Sequence, residues 1–84
     1  MNLYILHINP DYEDWLLNKK LHRLNKPSTT YSSGSQLWYQ NGLRHRDDGP
    51  AVIFARGEQF CFLNGKEFSE EDFLKEITKL REHK

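Results

Sequence analysis

Residues 38–51 read WYQNGLRHRDDGPA, and this stretch decides the fold because its pattern occurs twice in the chain. At an offset of 23 positions, residues 15–28 read WLLNKKLHRLNKPS. The offset aligns a tryptophan, an asparagine, a His-Arg pair and a proline without a gap. Residues 61–68 begin a third copy and then stop matching. The repeat therefore predicts two whole units, 15–37 and 38–60, followed by a partial unit.

Each unit combines strand-forming residues with turn signals. The pair Asn41-Gly42 follows an aromatic run and tolerates the positive φ angles of a tight turn. Gly49-Pro50 marks a second turn, because glycine adopts unusual φ angles and proline cannot continue a hydrogen-bonded ladder. The predicted strands are residues 36–40, 51–55 and 59–63, and residues 43–46 are predicted to form an irregular connection. Since equivalent units must restore the strand direction, we expect an antiparallel meander.

The two ends of the chain carry different signals. Residues 3–8 are predicted to form a strand, and residues 70–82 a helix that packs on the sheet. Ser69 suits the N-cap of that helix, with acidic residues in its first turn. Its predicted apolar stripe consists of Phe73, Leu74, Ile77 and Leu80. Residues 10–24 have two interpretations, a helix capped by Asn9 or a repeat hairpin, and we favour the hairpin because it explains the His-Arg pair and Pro27 together.

The unit at residues 38–51 resembles the MORN-like variant repeats with an NG…HR-x-DGPA signature, which occur in small phage, giant-virus and bacterial proteins. The resemblance covers about two thirds of the chain. Lys19 stands where this pattern has glycine, and residues 24–28 replace DDGPA. The resemblance implies an antiparallel β-sheet with a binding or structural role and no catalytic residues. It also implies a small phage-type accessory protein that neutralises or redirects a host factor.

Length and composition narrow the function classes. The chain has 84 residues and a formal net charge of zero, so we expect a single α+β domain over residues 1–84 with little room for an enclosed active site. Its longest apolar run, residues 51–55, is too short to span a bilayer, and its N-terminus lacks the pattern of a secretory signal. Cys61, the lone cysteine, favours a reducing compartment. We therefore expect a cytoplasmic protein that does not bind membranes.

The two His-Arg pairs allow a catalytic and a structural interpretation. In the catalytic one, His45 is a general base oriented by Asp47 or Asp48, while a neighbouring arginine binds phosphate. In the structural one, each histidine packs on an aromatic residue of the neighbouring unit, and each arginine pairs with turn acids or backbone. We favour the structural interpretation, because a catalytic group rarely needs repeating in every unit. The four histidines are scattered along the chain, so no metal site or other cofactor is expected.

Charge along the chain suggests a second binding hypothesis. From Trp15 to Arg46 there are basic residues and no acid, whereas acids outnumber bases from Asp47 onward. Basic residues interleaved with aromatic rings are typical of single-stranded RNA binders. The candidate RNA-binding residues are Lys19, Lys20, Arg23, Arg44, Arg46, Trp38 and Tyr39, with Trp15 as a further stacking candidate. The competing interpretation is that these aromatic rings belong to the core.

The leading functional expectation is non-enzymatic, stoichiometric binding of a host protein, such as a toxin or a defence factor. The expected partner-binding residues are Arg44, Arg46, Asp47 and Asp48, which lie in a turn-rich connection where side chains are exposed. Arginine suits this role because its planar guanidinium can pair with carboxylates in two places. RNA binding through the basic middle segment is the alternative.

Overall fold

The structure, a computed structural model, describes residues 3–82. These residues form ten strands and one helix. In chain order they are β1 (Tyr4–Ile8), β2 (Tyr12–Leu17), β3 (Lys20–Leu21), β4 (Thr29–Tyr31), β5 (Gln36–Leu37), β6 (Tyr39–Gln40), β7 (Leu43–Arg44), β8 (Val52–Ile53), β9 (Gln59–Leu63), β10 (Lys66–Phe68) and α1 (Glu70–Glu82).

The strands form an antiparallel meander, so the predicted α+β class is confirmed. The order of the main sheet is β1-β2-β4-β5-β8-β9-β10, with β3 beside β2, and β6 pairs with β7. Residues 12–21 form the hairpin of β2 and β3, and the alternative helix over residues 10–24 does not form. No helix in the described part of the chain has the length and hydropathy needed to cross a membrane.

The sequence repeat is also a repeat of backbone hydrogen bonds. The Trp15 amide donates to the Ser28 carbonyl at 2.7 Å, and the Trp38 amide donates to the Ala51 carbonyl at 2.7 Å. The amides of Ser28 and Ala51 donate in turn to the carbonyls of Leu37 and Phe60, the last residues of the same units. Both pairs keep the 23-residue offset of the sequence. Each unit is therefore held together internally by the same contacts.

Three predicted segments differ in detail from the structure. The strand predicted over residues 36–40 is divided at Trp38. Opposite Trp38, residues 46–50 form a loop that does not pair with this strand. Trp38 bridges that gap by donating to Ala51 and accepting from the His45 amide at 3.1 Å. The strand over residues 51–55 is only two residues long, Val52–Ile53. The irregular connection predicted for residues 43–46 contains β7, because the tight turn before it aligns Arg44 with Tyr39.

The apolar interior consists of two small clusters. Trp38, Ala51, Val52 and Phe62 form one, and Leu63, Phe73 and Ile77 form the other. Phe62 and Leu63 are successive residues of β9, so the strand contributes its two faces to different clusters. The second cluster attaches α1 to the end of the sheet.

The predicted helix boundaries, residues 70–82, agree with α1. The Ser69 hydroxyl accepts the Asp72 amide at 3.1 Å, which is the expected N-cap bond. The apolar stripe docks only in part. Phe73 and Ile77 are buried, whereas Leu74 and Leu80 are 58% and 54% exposed, because α1 packs against one end of a single-layer sheet.

Candidate interaction surface

The repeated histidines connect neighbouring units. His22 Nδ1 accepts the Asn41 amide at 3.0 Å, and His45 Nδ1 accepts the Asn64 amide at 2.9 Å. A neutral imidazole that carries its proton on Nε2 provides this acceptor. His22 is buried and also lies beside the ring of Tyr4, with 6.4 Å between the centroids. Each histidine therefore fastens the turn of the following unit, a contact that sequence reasoning missed.

The repeated arginines close the turn of their own unit. The Arg46 guanidinium lies 4.0 Å from the centroid of the Trp38 ring, and its Nη1 donates to the Pro50 carbonyl at 3.1 Å. Its Nε donates to Asp48 at 2.8 Å. This bond, together with the positive charge of Arg46, holds the pKa of the Asp48 carboxyl below its ordinary value of 3.8 despite partial burial. Arg46 is therefore held by a ring, a carbonyl and a carboxylate.

Gly49 leaves room for the close approach of Arg46. A Cβ atom at Gly49 would lie 3.1 Å from the guanidinium carbon of Arg46, closer than an ordinary contact. Lys26 occupies the equivalent position in the first unit. There the Arg23 guanidinium lies 4.3 Å from the Trp15 ring centroid, and its bond to the Pro27 carbonyl is longer, 3.4 Å. The DGP sequence thus allows the tighter of the two turns.

The four expected partner-binding residues have different surroundings. Arg46 and Asp48 pair with each other, and Asp47 is exposed. Arg44 is exposed on β7, where its Nε donates to the Tyr39 hydroxyl at 3.2 Å and its guanidinium lies 5.2 Å from the Phe62 ring centroid. Among the described side-chain contacts, none joins Arg44 to the other three.

The candidate RNA-binding residues also separate into two groups. Lys19, Lys20 and Arg44 are exposed. Arg23 and Arg46, in contrast, cover one face of Trp15 and of Trp38, as described above. Trp38 is only 8% exposed, and Tyr39 is half-buried. The basic charge is therefore partly open to solvent, whereas the indole faces are largely occupied.

A groove of about 430 Å³ lies where the third unit stops matching the repeat. It is bordered by β9, by the turn over residues 47–50 and by one face of α1 from Glu70 to Arg81. Its apolar lining includes Phe60, Phe68, Phe73 and Leu74. Sequence reasoning did not identify this groove, although the signal was the truncation of the third unit after Phe68.

No protein-family model, curated protein or solved structure matches this chain. Over residues 3–82, no group of three or more His, Cys, Asp or Glu side chains could hold a metal ion.

Proposed function

We propose that this chain is a non-enzymatic binding protein built from MORN-like repeats. In this proposal it is a small phage-type accessory protein that neutralises or redirects a host factor, such as a toxin or a defence system, by stoichiometric binding in the host cytoplasm. The observation that carries the proposal is the shape of the chain. Its extents are 39 × 37 × 17 Å, so one dimension is about that of a single sheet with its side chains.

Such a thin molecule leaves large apolar side chains in water. Leu3, Ile8, Leu24 and Leu74 are each more than half exposed, and both ends of the sheet contribute to this surface. These side chains supply apolar area that a partner could cover.

The surroundings of His45 support binding rather than catalysis. In a catalytic dyad, one imidazole nitrogen binds the orienting carboxylate and the other faces the substrate. Here Nδ1 of His45 accepts the Asn64 amide, and His22 makes the same bond in the first unit. Both histidines therefore have a structural role, which is to hold the turn of the following unit.

Within the expected contact surface, we assign direct partner contact to Arg44 and Asp47. Arg46 and Asp48 bind each other, so their part is to hold the turn that presents Asp47. This division predicts separate mutational effects on binding and on stability.

RNA binding is the second candidate. The observation that favours it is the exposure of Lys19, Lys20 and Arg44 in a stretch without acids. Phosphate contacts would provide most of the affinity, because Arg46 already covers the ring of Trp38. Binding would then weaken steeply as the salt concentration rises.

The test is affinity capture from host lysate, with and without nuclease. We expect one host protein to be captured in both conditions, and to be lost with Arg44→Ala or Asp47→Ala at an unchanged melting temperature. Arg56→Ala is the matched control, because Arg56 is 89% exposed and lies in a different turn. Capture that requires intact nucleic acid would favour the RNA alternative. Equal capture by all variants would contradict the assigned surface.

A further inference from the structure

The groove lies where the repeat pattern lacks one strand. In the first unit, Leu37 of β5 has a neighbour on each side, Thr29 of β4 and Val52 of β8. The equivalent residue in β9 is Phe60, which pairs with Val52 of β8 alone, since β10 pairs only with residues 61–63. After Phe68 the chain enters α1 instead of returning along β9. One side of β9 therefore remains open at residues 59–60.

The backbone at this edge is oriented toward the groove. The carbonyls of Glu58 and Phe60 both accept amides from the β8 side, from Phe54 and Ala51, each at 2.9 Å. Backbone groups of successive strand residues point in opposite directions across a sheet. The amide and carbonyl of Gln59 therefore point away from β8 and toward the groove, where they could pair with an added strand.

The preceding unit shows what occupies the equivalent place. Beside β5 this position is filled by Ala51 and Val52, which are 0% and 2% exposed. Residue 51 is therefore a place for a small side chain, and residue 52 for a branched apolar one. The corresponding place beside β9 is lined by apolar groups, including Phe60, which is 37% exposed.

The charge around the groove is mainly acidic. Four carboxylates and one arginine line it, and one of the four carboxylates is paired with Arg46. The acids are Asp47, Asp48, Glu67 and Glu70, and the arginine is Arg81. Such a rim repels phosphate and attracts lysine or arginine. It therefore selects a basic protein segment and disfavours RNA.

We propose that this groove binds an extended segment of a partner protein, which adds to β9 as an antiparallel strand. The segment has a small residue followed by branched apolar residues, with lysine or arginine at its ends. Main-chain bonds to Gln59 provide affinity, and the pockets beside Phe60 and Leu74 provide specificity. This inference deepens the proposed binding function and rests on it for its biological meaning, although the groove can be tested without the host factor.

The probe is a synthetic peptide, Gly-Pro-Ala-Val-Ile-Phe with two lysines at each end, which copies residues 49–54. The readout is the alkylation rate of Cys61, the lone cysteine, which lines the groove. Burial and the nearby Glu70 raise the pKa of this thiol, so mildly alkaline buffer is used. At a peptide concentration of about ten times Kd, we expect alkylation to slow about tenfold. A peptide with proline in place of isoleucine lacks the amide that would pair with Gln59 and should protect much less.

Two protein variants provide a matched pair. Leu74→Glu alters an exposed residue of the groove, and Leu80→Glu alters a similarly exposed residue of the same helix outside it. We expect Leu74→Glu to abolish protection and Leu80→Glu to retain it. Glu67→Lys should weaken binding of the lysine-flanked peptide, whereas Glu71→Lys, outside the groove, should not.

Several outcomes would overturn the proposal. These are no protection of Cys61, equal protection by the proline peptide, or equal effects of Leu74→Glu and Leu80→Glu. Protection that rises with protein concentration without peptide would assign the groove to a second copy of this chain instead. The outcome for the proposed function is separate. If the Leu74→Glu variant still captures the host factor, the groove is not the binding site for that factor. If the peptide binds but no host protein is captured, the groove is supported and the proposed function is contradicted.

Discussion

At the scale of single residues, the most visible polar motif of the sequence belongs to the scaffold. The sequence favoured a structural role of the His-Arg pairs over a catalytic one, because the pair occurs twice at the same offset. The partners of the histidines could not be predicted in this way. The amides of Asn41 and Asn64 lie 19 residues from the imidazoles that accept them, and no local pattern indicates a bond over that separation.

The histidine bonds predict a graded loss of stability. His22→Ala removes a buried side chain and leaves the Asn41 amide without its acceptor in a partly buried environment, so we expect a loss of about 1–3 kcal/mol in the free energy of unfolding. For His45→Ala, whose bond is exposed, we expect about 0.5–1.5 kcal/mol. Equilibrium denaturation with urea measures both, with His7→Ala on β1 as the control. Equal stability of all three variants would contradict the scaffold role.

The ion pair of Asp48 predicts a pH effect. Because the pKa of Asp48 is lower in the folded chain than in the unfolded one, the pair stabilises the fold above the unfolded value of 3.8. This contribution is lost as the pH falls through the lowered folded pKa. We expect Asp48→Asn to reduce the acid dependence of the melting temperature, whereas Asp47→Asn leaves the Arg46 pair intact. The effect should be small, since the Asp48 side chain is 65% exposed.

Lys19 predicts a stabilising substitution. It adopts a φ of 71° at the position where the other two units have Gly42 and Gly65. A left-handed conformation costs a non-glycine residue about 1–2 kcal/mol, and the extra flexibility of glycine offsets about 0.5–1 kcal/mol of the gain. We therefore expect Lys19→Gly to raise the free energy of unfolding by up to about 1.5 kcal/mol. Lys20→Gly on the adjacent strand is the control and should lower the free energy of unfolding. A lower stability of Lys19→Gly than of Lys20→Gly would contradict strain at Lys19.

At the scale of elements, local signals predicted the helix better than the strands. Capping and periodicity act within a few residues, so Ser69 and the acids after it were sufficient for α1. The division of the strand at Trp38, in contrast, depends on the loop over residues 46–50, which lies opposite it in the sheet. That loop contains Gly49, which permits the close approach of Arg46, and neither effect appears in the propensities of residues 36–40.

The helix contributes one buried aromatic ring on which its docking depends. Phe73 is 5% exposed between Leu63 and Ile77, so Phe73→Ala should cost about 3–5 kcal/mol. Leu80→Ala, at an exposed position of the same helix, should change stability by less than about 0.5 kcal/mol. Thermal unfolding followed by circular dichroism compares them, and an unchanged melting temperature for Phe73→Ala would show that α1 does not stabilise the sheet.

At the scale of the whole molecule, the repeat predicted the meander, while the end of the repeat carried the signal for the groove. Residues that match at the 23-residue offset occupy equivalent places in the sheet, so the sequence repeat is also a repeat of backbone hydrogen bonds. The groove arises from the absence of a returning strand after Phe68. To recognise the groove, one must know that Ala51 and Val52 fill the same place beside β5. The sequence of a single unit does not show which strands lie side by side.

In the proposed function, the protein acts by stoichiometric binding of its host factor. The most direct measurement titrates the captured host factor with purified protein while its activity is followed. We predict that activity falls in proportion to added protein and is lost near equimolar amounts. Complete loss of activity at strongly substoichiometric protein would contradict binding as the mechanism and would return His45 to consideration as a catalytic residue.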